Sequence, residues 1–220
     1  MRHRRRATWR GVLVLLAVLP VSPPRADMLI TEGMQPWETC AECHNLDGVS
    51  AMPRFPKLAG QPAEYIVKQV KDFRAGRRQN DGGQMSAIAR DINDKDLAKS
   101  AAYFSELPPP PPDTSLATDS EEWKRGATLF QAGDDAAGII KCRACHDDSE
   151  GTQAEMPLLK AQHAAYLAKQ LRDWRSSERR NDVSATMAAI AARLSDQDIT
   201  ALTTFLASQP RVPSNGKAAQ

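Results

Sequence analysis

Between Pro62 and Ala75 the apolar side chains Ile66, Val70 and Phe73 recur at i, i+4 and i+7, and 101 residues later Leu167, Leu171 and Trp174 repeat the spacing. A period of about 3.6 residues places each triplet on one face of an amphipathic helix. No stretch alternates apolar and polar residues convincingly enough for a strand, so the pattern predicts an all-α fold. The last helix of each half carries its own start signal. Asn93 precedes Asp-Lys-Asp, and Ser195 is followed three residues on by Asp198; such side chains bond the unpaired amides of a first turn. These helices stop before Pro108 and Pro210. A further helix is predicted to open each half, with Gly33 and Trp37 in the first and Gly126 and Phe130 in the second, because glycine-x-x-x-aromatic spacing lets another helix approach closely. About three main helices joined by long loops supply too little apolar material for a rigid core. Something must fill the middle of each half.

The shared offset is a true internal repeat. WETCAECHNLDG answers IIKCRACHDDSEG, residues 56–81 lie over residues 157–182, and MSAIARDINDKDLAKSAAYFSELP lies over MAAIAARLSDQDITALTTFLASQP. Between the halves runs LPPPPPDTSLATDSEE, whose prolines favour a stiff extended linker over helix or strand. The expected organisation is a first domain over 27–107, a linker over 108–119, a second domain over 120–210 and a flexible tail over 211–220.

Residues 1–26 are expected to be a secretory signal peptide: MRHRRRATWR is basic without an acid, and Gly11 to Leu19 is a short apolar run before PVSPP. That run is far shorter than the roughly 20 residues a membrane span needs. Cleavage is expected after Ala26, which directs the product to the periplasm. Without the six arginines of this segment, 23 basic residues face 27 acidic ones, a balance of −4 against +2 for the whole chain. A mixed, slightly acidic surface gives no support for a nucleic-acid footprint, which needs a basic face, and no nucleic-acid partner is expected.

All four cysteines belong to one pattern: Cys40 and Cys43 before His44, Cys142 and Cys145 before His146. Export makes disulfides the default expectation, two Cys-x-x-Cys pairs could share a zinc ion, and one pair on a thioredoxin-like sheet could be a redox dithiol. None of these explains a histidine directly after each pair. Covalent haem does: two thiols join the porphyrin vinyl groups, and the helical turn between them sets the next imidazole against the iron. Two haem c groups are expected.

The sixth iron ligand decides between carrying electrons and acting on a bound molecule. His3 lies in the signal segment, and His163 corresponds to Pro62 at a helix start, so methionine is the candidate. Met85 follows His44 by 41 residues, and Met187 follows His146 by the same 41. Met52 and Met156 follow their histidines too closely to reach the opposite haem face and are expected to pack against the porphyrin, as soft core fillers do. A thioether favours ferrous iron, so His/Met pairs raise the potential and fill both axial positions. Pro56 and Pro157 are placed for their carbonyls to accept the imidazole N–H and fix its orientation.

With PKLAGQPAEYIVKQVKDFRAGRR between the first haem motif and its methionine, PLLKAQHAAYLAKQLRDWRSSERR in the same place in the second half, and a capped helix ending AAYF, the chain resembles the dihaem cytochromes c4 over nearly all of residues 27–210. The resemblance implies two class I cytochrome c folds with their haems near the domain interface. It also implies periplasmic transfer of single electrons from a quinol-oxidising complex to a terminal oxidase, with membrane association only through such partners. Two departures stand out. Cys40 follows Asp27 by only 13 positions with Pro36 between them, so the first helix is short or bent, and PLLKAQ replaces PKLAGQ in the second half, losing the glycine. A related arrangement serves as the electron-accepting subunit of flavocytochrome sulfide dehydrogenases and other periplasmic dehydrogenases. An enzyme such as a dihaem peroxidase needs a vacant iron position, which two matched methionines deny.

Overall fold

A computed structural model describes residues 33–147, 154–182 and 184–211. The expected signal peptide and residues 212–220 of the expected tail lie outside the described residues. Helices α1 (Glu38–His44), α2 (Ala63–Arg74), α3 (Gln84–Asp91) and α4 (Asp94–Glu106) form the first half. Helices α5 (Glu121–Gln131), α6 (Arg143–His146), α7 (Ala164–Arg175), α8 (Thr186–Ala191) and α9 (Asp196–Ser208) form the second. No strand occurs among the described residues; two isolated bridges, one joining Arg78 to Arg179, are the extended pairings there.

Local signals set the helix ends. The Asn93 side chain accepts from Asp96 N–H at 2.9 Å, and Ser195 with Asp198 closes a reciprocal capping box on α9. Ser120 does the same work for α5, accepting from Trp123 N–H. In α2 and α7 the predicted apolar faces are the ones buried, through Ile66 and Phe73 and through Leu167 and Trp174.

The two cores differ. In the second half α5 crosses α9 so closely that a Cβ on Gly126 would stand 2.1 Å from the Ala201 carbonyl oxygen. That approach lets Leu129 and Phe130 join Ile199, Leu202, Phe205 and Leu206 in one buried cluster. The helix expected to carry Gly33 and Trp37 is absent from the described residues: Gly33 sits in a turn at φ +85° with open space around it. Trp37 instead precedes α1 and stacks on Tyr103 of α4, ring centroids 4.6 Å apart. The first core is correspondingly small, centred on Ile66, Ala101 and Phe104.

The halves meet through bonds that exchange when the repeats are swapped. Gln162 Oε1 accepts from Lys57 N–H at 2.8 Å and its amide donates to the Lys57 carbonyl at 3.0 Å. Gln61 mirrors this on Leu158, at 3.0 and 2.7 Å. Arg78 and Arg179 are 5 % and 7 % exposed, and each donates to both Gln69 and Gln170, one in its own half and one across the interface. Each guanidinium also lies over an aromatic ring of its own half, Phe73 or Trp174. Arg211, expected in a mobile tail, is instead buried and donates to the carbonyls of Ala59, Lys160 and Leu158.

Two predictions follow from this packing. Ala161 occupies the position of Gly60 and keeps its left-handed backbone, φ +56° against +67°. A Cβ on Gly60 would meet nothing nearer than 3.5 Å. Gly60→Ala should therefore cost only about 1 kcal/mol, the price of a left-handed non-glycine residue, in a denaturant titration.

The second concerns acid. Burial raises the Asp72 carboxyl, but bonds from Lys68, Asn181 and Arg77 outweigh it and hold the group below the usual carboxylate range. Asn181 donates from the other half, at 2.8 Å. A lowered folded value stabilises fully above the unfolded carboxylate value of about 3.9 and is lost as pH falls through the folded value. The contribution of Asp72 to the thermal midpoint should stay level down to about pH 5 and fall away below about pH 4. Asp72→Asn should lower the neutral-pH midpoint and flatten that fall.

Candidate functional site

A single cavity of about 1280 Å³ runs through both halves. It fills the space that the sparse helices leave open. Each half contributes the same set of side chains to its wall: Cys40, Cys43, His44, Pro56 and Met85 from the first, Cys142, Cys145, His146, Pro157 and Met187 from the second. Most of the remaining wall is apolar, with Ile66, Leu97 and Phe104 on one side and Leu167, Leu202 and Leu206 on the other.

Helix α1 spaces Cys40 and Cys43 on one turn and ends on buried His44; α6 does the same for Cys142, Cys145 and His146. His44 Nδ1 lies 2.8 Å from the Pro56 carbonyl oxygen and His146 Nδ1 lies 2.9 Å from that of Pro157. A carbonyl only accepts, so Nδ1 carries the proton and Nε2 keeps its lone pair free for a metal. Burial pushes both imidazoles below the ordinary histidine value, outweighing the carbonyl bonds that raise it. Both are therefore neutral donors at physiological pH.

No disulfide joins the four cysteines. Among the described residues no three His, Cys, Asp or Glu side chains gather as a metal ion held by protein alone would require. Burial raises the Cys40 thiol and pushes that of Cys142 up to about 11, which does not suit a reactive dithiol. The donor set fits a large apolar disc carrying its own iron: paired thiols to fix an edge, one imidazole with a bare nitrogen and one thioether in each half, along a cavity with apolar walls.

Met156 lines the cavity, as expected for a residue packed against a porphyrin. Met52 does not: it is 44 % exposed, on the turn between Ser50 and Pro56. The loop it occupies folds outward to bring the Pro56 carbonyl to His44, which carries Met52 into solvent.

The structure adds two residues. Asp81 accepts from Met85 N–H, and Asp182 accepts from Met187 N–H at 2.7 Å. Each carboxylate caps the short helix that carries a methionine, α3 or α8. Burial raises the Asp182 carboxyl, yet the Ser184 hydroxyl and the Met187 and Ser184 amides outweigh it and hold it low and ionised. The signal was available in the repeat, as the matched Asn-Asp before each methionine.

The family model described as Cytochrome c matches residues 123–210. Cytochrome c4 of Azotobacter vinelandii is 41 % identical over 177 residues, covering 76 % of this chain and 82 % of that protein. The thiosulfate dehydrogenase electron acceptor of Stutzerimonas stutzeri is 35 % identical over 202 residues, covering 90 % of this chain and 92 % of that protein. The crystal structure of reduced recombinant cytochrome c4 from Pseudomonas stutzeri superposes with a TM-score of 0.66 at 36 % identity, over 77 % of this chain and 93 % of that one. The chain belongs to the cytochrome c4 family: it is an all-α dihaem c-type cytochrome of two class I cytochrome c domains, an electron carrier and not an enzyme.

Proposed function

We propose that Cys40 and Cys43 tether one haem, with His44 and Met85 as its axial ligands, and that Cys142 and Cys145 tether the other, with His146 and Met187. The domains divide at the proline-rich segment 108–119. Haem c supplies a one-electron couple. The chain's part is to hold that couple still: Pro56 and Pro157 orient the imidazoles, Asp81 and Asp182 anchor the helices bearing the methionines, and the apolar wall keeps water out. Filling both axial positions with protein donors leaves no place for a substrate and little rearrangement between oxidation states. The observation that carries this reading is the matched set of two cysteines, one carbonyl-bonded neutral histidine and one methionine along the cavity wall of each half.

The protein is exported to the periplasm and shuttles single electrons between a quinol-oxidising complex and a terminal oxidase. A second reading makes it the electron-accepting partner of a periplasmic dehydrogenase. It is favoured by the likeness, over 90 % of the chain, to a protein named as the electron acceptor of a thiosulfate dehydrogenase. Native purification separates the two. A monodisperse dihaem protein that reduces an oxidase in membranes supports the shuttle. Constant co-purification with a dehydrogenase, together with failure to reduce the oxidase, supports the acceptor.

A further inference from the structure

One histidine of the second half bonds the loop that leads to the first haem site. His163 stands at the N-cap of α7, and its Nε2 lies 2.9 Å from the Ser50 carbonyl oxygen and 3.0 Å from the Ser50 hydroxyl. That hydroxyl donates to the Phe55 carbonyl at 2.7 Å. Its proton is thus committed, and both Ser50 oxygens can only accept, so Nε2 of His163 carries the proton. Ser50 itself is 2 % exposed. The residue after Phe55 is Pro56, whose carbonyl accepts from His44 Nδ1 at 2.8 Å. A continuous line of bonds therefore runs from the second half through Ser50 and Phe55 to the carbonyl that orients His44. The connection is one-sided: the residue corresponding to His163 in the first half is Pro62, which has neither an N–H nor a polar side chain.

We propose that His163 is a positioning residue that steadies the His44 imidazole from across the interface and so sets the potential of the first haem relative to the second. This rests on His44 as an axial ligand. A carbonyl held firmly against Nδ1–H makes the imidazole a stronger donor, which favours ferric iron and lowers the potential. Without His163 the loop from Ser50 to Pro56 loses its tie, the His44 bond slackens, and the first haem becomes easier to reduce. Pro62, which stands in the corresponding place, offers the loop before Pro157 no such donor.

The test is a spectroelectrochemical titration of the full dihaem protein and its His163→Leu, Ser50→Ala and His163→Gln variants. The first haem is identified as the couple that Met85→Ala displaces. His163→Leu and Ser50→Ala should raise that one potential and leave the other in place, which also serves as the internal control for folding. His163→Gln, which keeps an N–H donor, should restore most of the shift. The inference is overturned if neither potential moves, if both move together, or if glutamine behaves as leucine does. If Met85→Ala displaces no couple, the ligand assignment itself is wrong; if it displaces one and His163→Leu displaces none, only the role of His163 fails.

Discussion

Met85→Ala should leave a protein whose first haem, once reduced, binds carbon monoxide, while its second haem keeps an unaltered spectrum. The reverse should hold for Met187→Ala. Each methionine sits at the start of a short helix whose first amides are held by a carboxylate, Asp81 or Asp182, so the helix stays in place when the thioether is cut back. What is lost is one soft donor that favours ferrous iron. The potential of the affected haem should fall by on the order of a tenth of a volt, well inside the span of about 0.8 V that axial ligands command. Absorbance under carbon monoxide and a redox titration read both effects. Unchanged spectra in either variant would remove that methionine from the iron.

The largest effect on stability is expected at Gly126. An alanine there sets its methyl 2.1 Å from the Ala201 carbonyl oxygen and 2.8 Å from the Phe205 Cβ, so backbone must move. Helix α5 cannot retreat without drawing Leu129 and Phe130 out of the cluster they form with α9. Overpacking of this kind costs about 1–3 kcal/mol, and the rigidity of the clashing group puts Gly126→Ala at about 3. For a unit of this size that lowers the thermal midpoint by roughly 6–12 °C. Gly60→Ala, where the added methyl has room, is the matched control. Equal midpoints for the two variants would contradict the close crossing of α5 and α9.

The features that rest on local chemistry were legible in the residues. The apolar triplets of α2 and α7, the Asn93 cap and the Ser195–Asp198 box each depend on neighbours within two turns, and each lies where the pattern put it. Gly126 was legible for the same reason, since glycine-x-x-x-aromatic describes one helix face. Gly33 and Trp37 share that spacing without the helix. Pro36 lies between them, and Trp37 finds its partner in Tyr103, 66 positions further on. Met52 illustrates the opposite failure, in which proximity along the chain suggested a packing partner and the loop turned the side chain outward.

The interface was hidden in the same way. Gln69, Gln170, Arg78 and Arg179 are polar residues on helices and turns, a pattern that ordinarily marks a solvated surface. Their partners stand about a hundred residues away, as the bond from Arg179 to Gln69 shows, and no periodicity records such a distance. The repeat did hold a clue, because all four recur at the same offset together with Asp72 and Asp173, Asn80 and Asn181. Matched polar residues in a duplicated chain point to a shared twofold contact as readily as to a shared active site. His163 lies outside that symmetry, which is why its one-sided reach to Ser50 emerges only from the folded arrangement.

The intact mass of the protein matured in a bacterium that attaches haem c, measured under denaturing conditions, bears most directly on the whole account. It should equal the processed polypeptide plus two haems, and replacing Cys40 and Cys43 together by alanine should remove one of them. A mass equal to the bare polypeptide, or haem that separates on denaturation, would contradict it.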